Sequence, residues 1–177
     1  TGAFALPGQI VTVVVPEEAA GQGLSVQIGA HSDGLWNKDA IERFPQLIRT
    51  DRLRQTRTES ASVFGGPVYI LVPPGSEAPA FTAEISGAVL APYFQAGQTT
   101  AQDWARQLEE RQAPWAEIEG PHVIFTVQTD EARAIPDILA LVDFWEGVLG
   151  MPFIFDQPNL DNPDEGHLYF DPGDGQG

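Results

Sequence analysis

The stretch Gln9-Ile-Val-Thr-Val-Val-Val15 decides the class of fold. Branched side chains fill it almost without interruption and Pro16 closes it, which is typical of a buried β-strand. A second run, Leu24–Ala30, alternates apolar and polar residues as a half-buried strand does. Further strands bounded by turn residues are predicted at Val68–Val72, Phe81–Leu90, Val123–Val127 and within Thr56–Phe64. The chain is therefore expected to be rich in short strands.

Two helical segments follow from capping and spacing. Thr100 is suited to cap a helix over Ala101–Gln112, since Asp103 stands three residues further on. Pro136 and Asp137 suit the first turn of a second helix. Its apolar residues recur at helical spacing, as expected for core packing, and Gly150 ends the run; they are Ile138, Leu141, Val142, Trp145 and Leu149.

Together these elements predict a mainly β fold. The expected architecture is a β-sandwich, jelly-roll-like, with one or two short helices and a C-terminal amphipathic helix. Residues 1–128 would form the sandwich, and residues 129–150 a C-terminal helix packed on it or leading out of it. Residues 151–177 read as an acidic tail rich in proline and glycine.

Composition narrows the range of partners. The 177 residues carry a formal net charge of −16, so a nucleic-acid partner is not expected. Insertion into a membrane is not expected either, because no apolar run approaches the roughly 18–20 residues that cross a bilayer. The charge is uneven, since six of the nine basic residues lie between Lys38 and Arg57. Thirteen acids and one base follow Arg111.

Residues for catalysis or metal binding do not assemble in the sequence. There is no cysteine, no Gly-x-Ser-x-Gly turn and no His-Glu-x-x-His pair, so no catalytic residue and no metal ligand is assigned. His31, His122 and His167 stand apart, and each is interpreted as a structural hydrogen-bonding group. One acidic stretch has oxygen donors suited to calcium, although a solvated loop is the alternative; it contains Asp161, Asn162, Asp164 and Glu165.

A carbohydrate- or peptide-binding surface is the more favoured hypothesis. Aromatic residues are expected in or beside loops, where exposed rings can stack on sugars; they are Trp36, Phe44, Tyr93, Phe94 and Trp115. Arginines can bind the acidic groups of glycans. The predicted substrate-binding residues are Asp33, Trp36, Asn37, Arg52 and Arg54. The alternative for Trp36 is that it covers the core beneath a long loop.

A series of short motifs carries a family resemblance over residues 1 to about 148. The series resembles the enhancin-type zinc metallopeptidase family, in the N-terminal part of its peptidase domain and without the zinc helix. It comprises Thr1-Gly-Ala-Phe-Ala-Leu-Pro-Gly-Gln9, Val11–Pro16, Gly23–Asp33, Arg43-Phe-Pro45, Phe64–Ile70, Ile85-Ser-Gly-Ala88, Ala91-Pro-Tyr-Phe94 and Ala113–Gly120.

The resemblance implies a secreted or cell-surface protein whose parent hydrolyses O-glycosylated proteins such as mucins. It implies a β-sandwich that precedes a catalytic part, where a His-Glu-x-x-His helix holds zinc and its glutamate activates water. No position of this chain matches that helix, so zinc is expected in the part beyond it and none within it.

Three hypotheses follow. In the first, the chain is a non-catalytic wall of the substrate cleft, inactive alone, with a glycoprotein substrate and the downstream catalytic region of the same parent chain as partners. In the second, it is a standalone module that binds glycans or glycoproteins without hydrolysing them. In the third, it is a structural domain that orients its neighbours.

Overall fold

The computed structural model describes residues 2–31, 35, 39–41, 44, 46–76, 78–149, 153–155 and 168–170. The three helices in this part of the chain are α1 Ala101–Glu110, α2 Thr129–Ala134 and α3 Ile138–Leu149. The strands are β1 Ala3–Ala5, β2 Ile10–Val14, β3 Ser25–Ile28, β4 Arg49–Arg52, β5 Arg57–Ala61, β6 Gly66–Leu71, β7 Glu84–Ser86, β8 Val89–Leu90, β9 Tyr93–Gln95, β10 Trp115–Glu119, β11 Ile124–Gln128, β12 Phe153–Phe155 and β13 Leu168–Phe170.

Two sheets form a sandwich in the first half of the chain. One has the strand order β4-β3-β6-β1-β8 and the other has the order β5-β2-β7. Their pairings are antiparallel, with Ile28 opposite Val68 and Val13 opposite Thr58. The apolar faces of both sheets meet in one core that includes Val11, Val13, Leu24, Val26, Ile28, Leu53 and Val68. The predicted mainly β sandwich is confirmed.

Strand β2 shows how the sequence pattern is realised in the packing. Val11 and Val13 are fully buried between the two sheets, whereas Ile10 is 58% exposed. Because side chains alternate across a strand, Val11 and Val13 share one face, and Ile10, Thr12 and Val14 lie on the other. The predicted strand therefore exists and has one face in the core.

The segment Phe81–Leu90 is the clearest correction to the strand predictions. It does not form one strand, because Gly87 breaks it into β7, which pairs with β2, and β8, which pairs with β1. The backbone of Gly87 has φ +78°, and a Cβ atom there would lie 2.2 Å from the carbonyl oxygen of Ile10. This close approach requires glycine and lets the chain pass from one sheet to the other.

A third sheet and the helices form a second layer around their own core. The sheet has the order β11-β10-β9, and β9 runs parallel to β10. Helix α1 supplies the crossover that parallel neighbours need. The apolar side chains between sheet and helices include Phe94, Trp104, Ala116, Ile118, Ala132, Ile138 and Val142.

The predicted helices form, with changes at their ends. The side chain of Thr100 accepts a hydrogen bond from the backbone N–H of Asp103 at 3.0 Å, so the predicted cap is confirmed. Helix α1 ends at Glu110, two residues before the predicted end. Asp137 precedes the first turn of α3 and accepts hydrogen bonds from two backbone N–H groups there.

Residues 129–149 form α2 and α3 as separate helices. Within the predicted tail, β12 and β13 pair in antiparallel register, while the acidic stretch considered for calcium lies outside the described residues. None of the described helices has both the length and the apolar character to cross a membrane. The division at residues 128 and 150 stays a prediction.

Candidate ligand-binding face

The five-stranded sheet presents polar side chains on the face that points away from the sandwich core. Val26 and Ile28 of β3 are fully buried, so the alternating residues Ser25 and Gln27 point to the opposite face. In the register of β3 and β4, Ser25 lies opposite Arg52 and Gln27 opposite Thr50. Directly opposed residues share a face, so Ser25, Gln27, Thr50 and Arg52 form one polar surface. We call these four residues the outer face.

Arg54 is exposed two residues beyond Arg52, just past the end of β4, where its N–H donates to the carbonyl of Arg52. Leu53 is 1% exposed and anchors the segment in the core, while Arg52 and Arg54 on either side of it are exposed. The Leu53 N–H donates to the carbonyl of Leu24, and the Gly21 N–H donates to the carbonyl of Leu53. The backbone that carries the two arginines is thus tied to the neighbouring loop.

Within the part of the chain that the structure describes, no carboxylate comes within ion-pair distance of Arg52 or Arg54. The two neighbouring arginines, Arg49 and Arg57, each have a carboxylate partner. Arg49 forms two hydrogen bonds to Asp51, at 2.8 and 2.6 Å, and Arg57 forms one to Glu59 at 2.7 Å. The local acids therefore neutralise Arg49 and Arg57.

Asp51 links the two sheets at this edge of the sandwich. Besides Arg49, it accepts a hydrogen bond at 2.7 Å from the hydroxyl of Ser60, which lies on β5. The Arg49 guanidinium holds the pKa of Asp51 below its usual range, with a smaller contribution from Ser60. The edge is braced by a charged group that keeps its charge, and Asp51 is not available to Arg52.

The other predicted substrate-binding residues, Asp33, Trp36 and Asn37, lie outside the described residues. Their segment follows the C-terminal end of β3, whereas Arg52 lies opposite Ser25 at its N-terminal end. The structure places Arg52 and Arg54 on one segment and leaves the rest of the predicted site as a prediction.

The expectation of exposed loop aromatics is corrected for several residues. Phe94 lies on β9 and is fully buried against Trp104, with ring centroids 5.8 Å apart. Tyr93 on β9 and Trp115 on β10 are strand residues and only half-buried. Phe44 is 64% exposed and contacts Phe64. The isolated sequence did not show that β9 and β10 exist, which is why these rings seemed to belong to loops.

A hydrogen-bonded pair of a half-buried tyrosine and a buried glutamate lies where the sandwich meets the third sheet. The Tyr69 hydroxyl donates to the Glu117 carboxylate at 2.6 Å, and Glu117 is 3% exposed. Burial, and next the hydrogen bond to Glu117, raise the pKa of Tyr69 far above its usual value. A small cavity of about 70 Å³ adjoins this junction, and it is lined by residues that include Phe4, His31, Pro67, Trp115 and Thr126.

The histidines that the structure describes have structural contacts. The ring of His31 meets Trp115 edge-on at 5.2 Å, and His122 Nδ1 lies 2.6 Å from Glu146. Glu146 also accepts the backbone N–H of His122, and the pKa of Glu146 is lowered by these hydrogen bonds. Among the described residues, no three acidic or histidine side chains come together as a metal would need. No zinc ligand can be assigned to this part of the chain.

The sandwich, the third sheet and the helical layer define a β-rich domain of the kind found in M60 metallopeptidases. Residues 1–86 match the N-terminal domain of M60-like peptidases, and residues 87–153 match peptidase M60, enhancin and enhancin-like. The chain belongs to this M60-like, enhancin-like peptidase family. The resemblance drawn from the motif series is confirmed.

Solved structures share the fold over most of the chain. The M60 catalytic domain of ZmpC from Clostridium perfringens, in complex with the sialyl T antigen, matches with a TM-score of 0.55 and 15% identity. That match covers 83% of this chain and 30% of the other. IMPa from Pseudomonas aeruginosa, in complex with an O-glycopeptide, matches with a TM-score of 0.54 and 22% identity, covering 84% and 18%. At these identities the likeness shows the fold alone.

The curated relatives are more similar in sequence than these solved structures, and they are named TRPM8 channel-associated factors. TRPM8 channel-associated factor 2 of Homo sapiens is 34% identical over 165 residues, which is 89% of this chain and 18% of the relative. TRPM8 channel-associated factor 1 of Bos taurus is 36% identical over 150 residues, 84% of this chain and 16% of the relative. The chain spans less than a fifth of the length of these curated relatives.

Proposed function

We propose that this chain is the N-terminal, non-catalytic β-rich part of a secreted or cell-surface zinc metallopeptidase that cleaves O-glycosylated proteins. In this role it forms one wall of the cleft that receives the glycoprotein. The observation that carries the proposal is the order of the family matches, in which a match to the M60-like N-terminal domain is followed without a gap by a match to peptidase M60.

The ligands of the solved relatives support a glycoprotein as the substrate class. ZmpC is in complex with the sialyl T antigen and IMPa with an O-glycopeptide. On this chain, the outer face provides hydroxyl and amide groups, which suit a ligand rich in hydroxyl groups. The zinc chemistry belongs to a His-Glu-x-x-His helix outside these residues, where the metal would activate a water molecule.

The test uses the complete protein encoded by the gene. Incubated with zinc and an O-glycosylated peptide, it should release peptide fragments that mass spectrometry identifies, and a chelator should stop the release. The same peptide without its glycan should be cleaved poorly. A complete protein that carries no His-Glu-x-x-His sequence, or that cleaves neither peptide, would contradict the proposal.

A second candidate is a binding module without hydrolysis, either for glycoproteins or for a channel protein. It is favoured by the 31–36% identity to TRPM8 channel-associated factors, against 14–22% to the solved structures. A pull-down separates these cases, with an O-glycoprotein and a TRPM8 channel as alternative baits. Retention of intact bait by a complete protein that cleaves nothing would favour this candidate over the peptidase.

A further inference from the structure

We propose that the outer face, together with Arg54, binds the anionic group of a glycan, a carboxylate or a sulfate, at a site separate from peptide cleavage. The inference rests on the proposed function, because it names the class of glycan that the glycoprotein substrate would present. The observations behind it are the partners of the arginines, the register of β3 and β4, and the charge of the whole chain.

The arginine partners single out two guanidinium groups for an external anion. Four arginines lie between residues 49 and 57, all of them described. Asp51 pairs with Arg49 and Glu59 pairs with Arg57. The chain has 25 acidic and nine basic residues, yet Arg52 and Arg54 are exposed with no carboxylate partner among the described residues. Their planar, forked donors fit the paired oxygens of a carboxylate or sulfate.

The register supplies hydrogen-bonding groups beside the arginines. Ser25 lies directly opposite Arg52, at the roughly 5 Å spacing of cross-strand neighbours. Thr50 lies two residues before Arg52 on the same strand face. Gln27 donates its amide N–H to the carbonyl of Gly29 at 2.9 Å, which orients the side chain, and among the described residues no group donates to its amide oxygen. The hydroxyl groups of a sugar can both donate to and accept from such a set.

The anchoring of the segment favours recognition over a purely solvating role. Leu53 is buried between the two arginines, and its backbone is hydrogen-bonded to the loop at Gly21 and Leu24. Ser60 and Asp51 tie β4 to β5 across the sandwich edge. Less backbone freedom is lost when a ligand binds to a surface already held in this way.

The net charge of the chain favours a small anion over a polyanion as the ligand. A chain with net charge −16 repels a nucleic acid or another dense polyanion over the range of a Debye length, about 8–10 Å at physiological salt. A glycan with one or two acidic groups meets the two arginines at contact and experiences little of that repulsion. The surface therefore fits a sialylated or sulfated glycan better than DNA or RNA.

The test measures binding of three forms of one mucin-type O-glycan to the full chain by calorimetry: neutral, sialylated and sulfated. At least one acidic form should bind roughly tenfold or more tightly than the neutral form, as expected when a charge-assisted hydrogen bond is gained. The double variant R52Q/R54Q should lose this preference. R52K/R54K should retain only part of it, because lysine keeps the charge and lacks the fork.

Arg106 provides the matched control. It is exposed on α1 and pairs with Asp103, so R106Q removes one arginine charge from a helix of the second layer. R106Q should keep the preference for the acidic glycan, and circular dichroism should show native sheet content in every variant. The sialylated and sulfated arms tell which anion the site takes.

Several outcomes would overturn the inference. Equal binding of all three glycan forms, no binding of any, or an equal loss in R106Q would each do so. A duplex DNA that binds more tightly than the acidic glycans, with the same dependence on Arg52 and Arg54, would instead show a polyanion site. None of these outcomes bears on peptide cleavage, which is measured separately with the complete protein. If cleavage fails while arginine-dependent glycan binding is intact, only the proposed function is refuted.

Discussion

The sandwich and the layer of third sheet and helices are built by different means. In the sandwich, strands pair antiparallel and the core is almost entirely aliphatic. Several of its close crossings depend on glycine, as at Gly29, Gly66 and Gly87. In the second layer, β9 and β10 are parallel, aromatic rings fill the core, and helix caps fix the ends. The first region depends on backbone approach and the second on large side chains.

The two regions are therefore expected to be sensitive to different kinds of substitution. A sandwich with carbonyl groups packed against glycine has no room for one more carbon atom, whereas a core around Phe94 and Trp104 is most sensitive to loss of volume. The regions are also joined. Phe4 of the sandwich sits in a small apolar cluster with Ala91 and Ala113, next to the Tyr69–Glu117 pair. We therefore expect them to unfold together.

The largest effect is expected from Gly29→Ala in the sandwich. Gly29 has φ +102°, and a Cβ atom there would lie 2.0 Å from the carbonyl oxygen of Leu47. The free energy of unfolding should fall by more than about 4 kcal/mol, through backbone clash and strain together. Gly75→Ala is the control, because Gly75 has φ +73° with nothing within 4 Å. It should cost only about 1–2 kcal/mol. Chemical denaturation measures both, and equal costs would refute the crossing argument.

Phe94→Ala should have the next largest effect, now in the second layer. Phe94 is fully buried, with 0% of its surface exposed to solvent, and loss of its ring should cost about 3–5 kcal/mol. Urea denaturation followed by tryptophan fluorescence and by far-UV circular dichroism should give one coincident transition. Two separate transitions, with the sandwich unaffected, would show that the two regions unfold independently, contrary to the expectation that they unfold together.

Tyr69→Phe tests the junction between the layers. The change removes the phenol donor from the buried Glu117 carboxylate, and it should cost about 1–3 kcal/mol. Tyr93→Phe is the comparison, since Tyr93 donates to the carboxylate of Glu119, which is only half-buried. Thermal or urea denaturation at neutral pH should show the larger loss for Tyr69→Phe; the reverse order would place the key junction elsewhere.

The same residue makes stability depend on alkaline pH. Because the pKa of Tyr69 is raised in the folded state, its contribution is complete below the unfolded pKa of about 10 and is lost as pH rises above it. Unfolding between about pH 9 and 11 should therefore be less pH-dependent in Tyr69→Phe than in the wild type. Parallel curves for the two proteins would mean that Tyr69 is not linked to stability.

The smallest effect is expected from Thr100→Ala at the cap of α1. Its hydroxyl accepts the Asp103 N–H, and loss of the cap should cost about 1 kcal/mol. Thr82→Ala changes an exposed threonine outside the helices and strands, so it should be close to neutral. If both variants denature with the wild type, the cap contributes nothing to the second layer.

Local pattern was sufficient to predict the sandwich strands β2, β3 and β6 and both capped helices. Their signals are branched runs, alternation and capping residues, which act over a few positions. The strand β4 could not be predicted, because Arg49-Thr-Asp-Arg52 has no apolar alternation and owes its structure to pairing with β3. The break at Gly87 was missed because only the distant Ile10 carbonyl requires it.

The candidate site was predictable only in part. Clustered basic residues drew attention to Arg52 and Arg54, but the sequence did not show which arginines the neighbouring acids neutralise. Ser25 and Gln27 were not among the predicted binding residues, although the alternation of Leu24–Ala30 already placed them on one face. Glu117 could not be recognised as buried, because its partner Tyr69 is 48 residues away in the chain.

The central claim is that this chain serves a glycoprotein-directed peptidase without carrying its catalytic part. It is tested most directly by incubating the purified 177-residue chain with zinc and an O-glycosylated peptide and analysing the peptide by mass spectrometry. The peptide should remain intact with this chain, whereas the complete protein should cleave it under the same conditions. Zinc-dependent cleavage by the 177-residue chain alone would show that it carries catalytic residues of its own.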